Sequence, residues 1–259
     1  MESENEIPSR DRWDTVVEII QSTFTRTKIP QVFGIGILVL IPKSDQNQFR
    51  GIALLDVIYK LISRIIHTRI NSNIKYHEAV HGFRRKRGTT TAISELKLCM
   101  RVTSMNKKRN PRFTIFLDLK KAYDTLDRPR TLEILKAYGI GPNICHIIEE
   151  TWKMDKMIPK QAGCYGTSFN TSRGVRQGDI ISPTVFNIII DAVINYCEVV
   201  YKTFHPGKEI PKTIFYADDG VISGDNASLV QNMLDIYTDA FMRVRLKMNV
   251  EKTKAMIMT

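Results

Sequence analysis

Two apolar runs far apart in the chain each hand over to aspartate, and this restricts the fold more than any other feature. Phe113-Thr-Ile-Phe-Leu-Asp-Leu119 reads as a strand with Asp118 near its end. Thr213-Ile-Phe-Tyr-Ala-Asp-Asp219 and Gly220-Val-Ile-Ser-Gly224 read as a hairpin whose turn carries Asp218 and Asp219. If the strands pair in a sheet, three carboxylates meet on one patch. Two unit charges ~4 Å apart cost roughly 4 kcal/mol at an effective dielectric near 20. Such a cluster asks for a cation, and carboxylate oxygens suit Mg²⁺. Two metals bridged by aspartates are a standard means of in-line phosphoryl transfer. That chemistry needs little from histidine or cysteine, in keeping with a chain of 5 His and 4 Cys. Aspartate is also common at strand ends and in turns, so the acids alone leave an ordinary structural reading open.

The rest of the chain mixes helices with few strands. Residues 1–30 predict a polar lead-in and a short amphipathic helix, with Trp13, Val16, Val17, Ile20 and Phe24 at helical spacing and Pro30 ending it. Ile35-Gly-Ile-Leu-Val-Leu-Ile41 reads as a buried strand stopped by Pro42. From Ala53 to Ile70, Leu54, Ile58, Leu61 and Ile65 with Leu55, Ile62 and Ile66 trace one helical stripe, and Lys60, Arg64 and Arg69 lie off it. A second helix should follow Gly88, capped by Thr89 to Thr91 and burying Ile93, Leu96 and Met100. Further helices are expected at about 129–138, 142–154, 183–204 and 227–244. The sum is α+β with a small antiparallel sheet.

With 259 residues, 43% hydrophobic and 25% charged, the chain suits one large domain or two small ones around a real core. Lys plus Arg is 38 against 27 Asp plus Glu, a net +11 that favours a polyanion, either nucleic acid or an anionic membrane surface. The longest apolar stretch, Ile35 to Ile41, is far short of the ~20 residues of a membrane span. Met1-Glu-Ser-Glu-Asn is no secretory signal. Cys99, Cys145, Cys164 and Cys197 are scattered without a CxxC pair, so four reduced thiols in an intracellular protein are expected.

Four segments follow one another in order: Asp118-Leu-Lys-Lys-Ala-Tyr-Asp124, Arg173-Gly-Val-Arg-Gln-Gly-Asp-Ile-Ile-Ser-Pro183, Phe215-Tyr-Ala-Asp-Asp219 and Leu246-Lys-Met-Asn-Val-Glu-Lys-Thr253. Together they resemble the palm motifs of reverse transcriptases. Upstream, Leu40-Ile-Pro-Lys43, Arg50-Gly-Ile-Ala-Leu-Leu55, Tyr59-Lys60 and Gly82-Phe-Arg-Arg-Lys-Arg-Gly-Thr-Thr90 resemble the fingers motifs of the non-LTR (LINE-type) retrotransposon branch. The resemblance covers roughly residues 30–257. It implies a right-hand polymerase fingers–palm, α+β, with a small antiparallel palm sheet flanked by helices. Residues 1–29 would be an N-terminal extension with a short helix. Residues 30–259 would be the reverse transcriptase domain, with fingers at about 30–112 and 146–170 and palm at about 113–145 and 171–259. Thr259 falls just after the last motif, so no thumb is expected, nor an endonuclease or zinc-knuckle region.

The implied activity is RNA-directed DNA polymerisation, adding deoxynucleotides to a primer 3′-hydroxyl with two Mg²⁺ ions, for which Mn²⁺ can substitute. The implied partners are an RNA template, a DNA primer and deoxynucleoside triphosphates, with no membrane and no obligate protein partner. Asp118, Asp218 and Asp219 match the family's catalytic metal ligands, and the Leu119 carbonyl sits where a further ligand is found. Tyr123 matches the aromatic gate that excludes a 2′-hydroxyl. Gln177 and Gly178 match the element contacting the incoming nucleotide and templating base, where Gly174 and Gly178 would permit close backbone approach. Lys43 and Arg50 match residues that hold the triphosphate, and Lys252 a lysine near the leaving pyrophosphate. Arg84, Arg85, Lys86 and Arg87, with Lys107, Lys108, Arg109 and Arg112, would line a groove for template and primer. Phe83 could stack on a base or fill the core, and the core is the favoured expectation.

Rival readings remain. His77-Glu-Ala-Val-His81 satisfies the HExxH zinc-protease pattern, in which both histidines must share one helix face. Gly82 follows at once, which suggests a turn, and no third ligand stands at the usual spacing. A nucleic-acid-binding remnant without polymerase activity is the nearer rival. An RNA-dependent RNA polymerase is disfavoured by Tyr123 and by Ala217 before the paired acids.

Overall fold

The computed structural model describes residues 10–25, 29–42, 49–105 and 111–258. Helix α1 (Arg10–Thr25) and a 3-10 turn (Gln31–Gly34) precede strands β1 (Ile35–Pro42) and β2 (Phe49–Leu55), helices α2 (Val57–Asn73) and α3 (Thr89–Met105), and strand β3 (Arg112–Leu117). A single turn, α4 (Ala122–Thr125), leads to α5 (Arg128–Ala137) and α6 (Pro142–Lys153), then to β4 (Lys156–Gln161), β5 (Cys164–Tyr165) and β6 (Phe169–Asn170). Helix α7 (Ser182–Phe204), the hairpin β7 (Lys212–Tyr216) and β8 (Asp219–Gly224), α8 (Ala227–Arg243) and β9 (Lys254–Met258) follow. One sheet has the order β2-β1-β4-β5, with β6 also on β4; β1 and β2 are antiparallel and β1 and β4 parallel. The other, β7-β8-β3-β9, is antiparallel throughout.

Helix α7 is the centre of the core. Val185, Phe186, Ile188, Ile189, Ile190, Val193, Ile194, Cys197 and Tyr201 are all buried along it. Each such large apolar side chain contributes ~1.5–3 kcal/mol on burial. Among the described residues α7 is long and apolar enough to cross a membrane by length and composition, but most of it is buried inside the protein. Helix α8 packs against it through Val230, Met233, Tyr237 and Phe241, behind the antiparallel sheet.

Several sequence expectations shift. The stripe assigned to one helix from Ala53 is two elements, because Asp56 accepts hydrogen bonds from the backbone N–H of Ile58 (2.8 Å) and Tyr59 (3.1 Å) and so starts α2 at Val57. Ala53 to Leu55 belong to β2, and Leu54 and Leu61 are exposed. Strand β1 is not wholly buried: Leu40 and Ile41 face solvent on its outer half. In α3, Thr91 supplies the cap, accepting from the Gly88 N–H at 2.9 Å. Its inner face is Ala92 with Glu95 beside β7, and Ile93 is exposed. On α1, Ile20 and Phe24 pack on the core while Trp13 and Val17 are exposed.

His77 to His81 form no helix. Val80 makes a parallel bridge to Phe215, with the His81 N–H donating to the Phe215 carbonyl at 2.8 Å and the Phe215 N–H to Ala79 at 2.7 Å. The two imidazoles serve different acids, His77 with Glu198 (3.1 Å) and His81 with Glu95 (2.9 Å). The metalloprotease geometry is absent from this segment. It is instead an extra edge on the antiparallel sheet, laid against the strand that leads into Asp218.

Candidate active site

The register of β3 against β8 pairs Leu117 with Gly220, so the next residues beyond that pair are Asp118 on one strand and Asp219 on the other. Tyr216 pairs with Asp219, which leaves Ala217 and Asp218 as the two-residue hairpin turn, with Ala217 at φ +54°. All three acids therefore lie at one end of the same sheet. Burial raises the Asp219 carboxyl above the ordinary carboxylate range, the charges of Asp218 and Asp118 raise it further, and Lys252 pulls it partly back. Asn249 fixes Asp118 twice: its backbone N–H donates to the Asp118 carbonyl at 2.7 Å, and its side-chain amide to Oδ2 at 2.8 Å. The bridge between Leu119 and Met248 continues this pairing.

Tyr123 lies in α4, just beyond Lys121 at φ +45°. Its ring stacks on Phe186 at 4.7 Å, and its buried hydroxyl has no hydrogen-bond partner among the described residues. Burial and the nearby Asp218 push that hydroxyl's pKa up. The loop after β6 grips this turn: the Val175 N–H donates to the Tyr123 carbonyl at 2.8 Å. A Cβ on Gly174 (φ +78°) would stand 2.7 Å from the carbonyl oxygens of Tyr123 and Asp124. On its other side the loop is fastened to β2, where the Ala53 N–H donates to the Gln177 carbonyl at 2.7 Å. A Cβ on Gly178 (φ +114°) would meet the Ala53 oxygen at 2.5 Å. Both glycines thus permit a close approach of the protein's own backbone. The Gln177 side chain reaches Asp124 at 3.3 Å, and both line a cleft of about 470 Å³ between β1, β2 and this loop.

Arg50 is exposed on β2 opposite Ile41, and Lys252 is exposed with its charge felt at Asp219. Lys43, Lys107, Lys108 and Arg109 lie outside the described residues. The remaining basic residues divide. Arg84 donates to the carbonyls of His77 (2.8 Å) and Val80 (2.7 Å) and lies over the Tyr76 ring, so it is engaged internally rather than lining a groove. Arg87 is tied to the Glu78 carbonyl. Arg112 donates to Ser223 at the far end of β3, ~20 Å from Asp118 at the usual rise per residue. Arg85 and Lys86 are exposed. Phe83 is 51% exposed, contrary to the core expectation.

Sequence reasoning missed the residues that hold the site together. Asn249 stands inside a quoted motif, but only its contact with Asp118 shows its use. Asp155, nearly fully buried, binds Arg176 Nε at 2.8 Å and Arg128 Nη2. Arg176 also donates to the carbonyls of Phe33 (2.9 Å) and Gly34 (2.8 Å), and Arg128 to those of Gly174 (2.9 Å) and Thr171 (2.8 Å). Asp179 accepts from Tyr59 and Ser63, each at 2.6 Å. The motif residues Tyr59 and Asp179, far apart in sequence, therefore exist partly for each other.

The donor set suits a hard divalent cation: carboxylate oxygens at one end of the sheet, with Asp219 raised by burial first and then by the charges of Asp218 and Asp118. Among the described residues no three His, Cys, Asp or Glu side chains are already gathered as a metal-binding group. The acids fit an ion by charge and donor type without forming a closed cage.

A family profile described as reverse transcriptase (RNA-dependent DNA polymerase) matches residues 41–258. The Pol polyprotein of type-2 retrotransposable element R2DM of Drosophila melanogaster is 27% identical over 230 residues, 86% of this chain and 21% of that protein. The RNA-directed DNA polymerase from mobile element jockey of Drosophila funebris is 26% identical over 212 residues, 80% of this chain and 22% of that protein. Apo telomerase from Candida tropicalis, truncated from its C-terminal domain, matches with a TM-score of 0.65 at 15% identity, covering 100% of this chain and 58% of that one, a likeness of fold alone. The chain spans 21% to 34% of the length of curated retrotransposon relatives. By its motifs, its fold and its relatives, the chain belongs to the reverse transcriptase family, of the non-LTR retrotransposon kind.

Proposed function

We propose that this domain extends a primer 3′-hydroxyl with deoxynucleotides on an RNA template, using divalent metal ions, in the first place Mg²⁺. The observation that carries the reading is the sheet register, which sets Asp118, Asp218 and Asp219 at one end of the antiparallel sheet. Asp118, Asp218 and Asp219 would hold the ions, with the Leu119 carbonyl as a further donor. When bound, these activate the hydroxyl and neutralise the leaving pyrophosphate. Asn249 keeps the Asp118 carboxylate aimed at the shared patch. The Tyr123 ring, braced by Phe186, would close the space a 2′-hydroxyl needs. Gln177 would contact the incoming nucleotide beside the cleft, Arg50 and Lys43 the triphosphate, and Lys252 could protonate the departing pyrophosphate.

We assign the mixed sheet to the fingers and the antiparallel sheet to the palm. One revision of the sequence-based limits follows, because a border at residue 145 would cut α6. The reading is tested by primer extension on an RNA template with this domain. Metal-dependent incorporation that disappears in Asp218→Ala is expected. Synthesis that survives Asp218→Ala overturns the mechanism, and duplex binding without incorporation identifies an inactive remnant.

A further inference from the structure

A second cavity, of about 510 Å³, opens between the α4–α5 turn, the end of α8 and Arg173. Lys120, Arg173, Arg245 and Lys247 line it, against a single described carboxylate, Asp127. That acid is already shared. It accepts from the Arg130 N–H at 2.9 Å as the cap of α5, and it pairs with Arg245 Nε at 3.2 Å. Lys120, Arg173 and Lys247 have no ion pair among the described residues.

Two backbone features hold these charges together. Helix α8 ends with the Leu246 N–H donating to the Phe241 carbonyl at 2.9 Å and the Arg245 N–H to that of Met242 at 3.0 Å. Those paired bonds close a helix through a left-handed residue, where glycine is usual because it has no Cβ. Here the residue is Arg245, at φ +58°. Beyond it, the Lys120 N–H donates to the Lys247 carbonyl at 2.8 Å, and Leu119 bridges Met248 in the antiparallel sense, so Lys120 and Lys247 stand directly opposite. Like charges in that position destabilise a strand pair. The dipole of α8 favours a cation at its C-terminal end, but Lys120 and Arg173 come from other segments. A strained arginine and a facing pair of lysines around one space make an arrangement that a bound anion relieves.

The floor narrows the chemistry. Met242 and Leu246 line the cavity beside the cations, apolar surface on which a flat ring can lie. The volume falls in the ~300–1,000 Å³ range of small-molecule sites. Lys120 follows closely on Asp118 in the chain, so the cavity borders the carboxylate end, yet Asp118, Asp218, Asp219 and Tyr123 do not line it.

We infer that this cavity binds the polyphosphate of a small ligand, a free nucleoside triphosphate or inorganic pyrophosphate, at a place separate from the metal-binding acids. Arg173 and Arg245 fork onto phosphate oxygens, Lys120 and Lys247 supply point charges, and Met242 with Leu246 underlies the base where there is one. The site needs no metal and does not rest on the polymerase reading.

The test is titration calorimetry of the unaltered chain with ATP, pyrophosphate and AMP in EDTA, where the bare acids repel all three. ATP should bind, and AMP about tenfold more weakly for want of the outer phosphates. Pyrophosphate that binds as tightly as ATP identifies pyrophosphate as the ligand, and weaker binding identifies the nucleotide. Arg245→Gly and Lys247→Ala should each weaken ATP about tenfold, the loss of one charge-assisted contact. Arg130→Ala removes a charge outside the cavity and should stay within about twofold, as should Asp218→Ala. Glycine suits this φ, so Arg245→Gly should unfold at no lower a temperature than the parent while binding poorly. Absence of ATP and pyrophosphate binding overturns the inference, as do equal affinities for AMP and ATP, or a loss in Arg130→Ala as large as in the cavity variants. A single-stranded RNA decamer whose binding falls in Arg245→Gly while that of ATP does not overturns it in favour of a strand. None of these outcomes bears on the metal-dependent extension assay, so the two readings fail separately.

Discussion

Asn249 holds Asp118 by backbone and side chain together, 2.7 Å to its carbonyl and 2.8 Å to its carboxylate. A hydrogen bond to a charged group contributes ~1.5–3 kcal/mol, so Asn249→Ala should lower the extension rate about tenfold or more while the KM for nucleotide changes little. Asn249→Asp should be worse, because it sets another carboxylate against Asp118. Initial-rate kinetics across a metal titration check both, and equal rates in the two variants would contradict the orienting role.

Tyr123 separates ring from hydroxyl. Its ring stacks on Phe186, and its hydroxyl is buried without a partner among the described residues. Tyr123→Ala should therefore raise ribonucleotide incorporation, whereas Tyr123→Phe should keep sugar discrimination and match or exceed the parent's stability by up to ~1 kcal/mol. Competition between deoxy- and ribonucleotides, with a thermal melt, reads both; unchanged discrimination in the alanine variant rejects the gate.

The ionic hub makes a stability prediction. Removing one member of a buried charge pair leaves the others uncompensated and costs ~3–5 kcal/mol. Arg176→Met and Asp155→Ala should each lower the unfolding temperature by roughly 10 °C. The double variant should lose less than the sum of the two, since both remove the same contact. Calorimetry provides the comparison.

Gly178 and Gly163 form a matched pair of positive-φ glycines. At Gly178 a Cβ would collide with the Ala53 carbonyl, whereas at Gly163 it would meet open space. Gly163→Ala should cost about 1 kcal/mol from its backbone alone, and Gly178→Ala considerably more. The second variant should also lose extension activity, because it pushes Gln177 away from β2.

Acid should weaken the fold through two histidines. Burial pushes His81 and His67 below the usual imidazole pKa, with nearby arginines adding to it and Glu95 only partly opposing it at His81. The unfolded chain then binds more protons than the folded one, so stability rises with pH through the range up to about 6.5. The unfolding temperature should fall between pH 7 and pH 5, and a His67→Asn, His81→Asn double variant should show a shallower fall.

The sequence makes some elements plain and hides others for physical reasons. Helices α5 to α8 follow from unbroken 3.6-residue patterns with Pro129, Pro142 and Pro183 near three of their starts. The β7–β8 hairpin follows from apolar runs flanking the paired acids. The start of α2 is obscured because Leu54 and Ile58 happen to fall four residues apart; Asp56, a capping residue, is the better signal. Strand β4 is interrupted by Pro159 and β5 and β6 have two residues each, so nothing periodic marks them. At the site, motif order picks out Asp118, Tyr123 and Gln177. It does not show which neighbours face inward, and so Arg84 is taken for a groove residue and Asn249 is passed over.

The loop from Arg173 to Asp179 is stitched to the Tyr123 turn at one end and to β2 at the other. It therefore behaves as a pin through two plates: a displacement of β2, where Arg50 sits, is carried through its backbone to Tyr123, the gate of the proposed function. With Arg50 and Tyr123 in their proposed roles, substitutions that alter how firmly a triphosphate is clasped should, for that reason, also alter which sugar is accepted, and the two properties would not be free to be tuned separately.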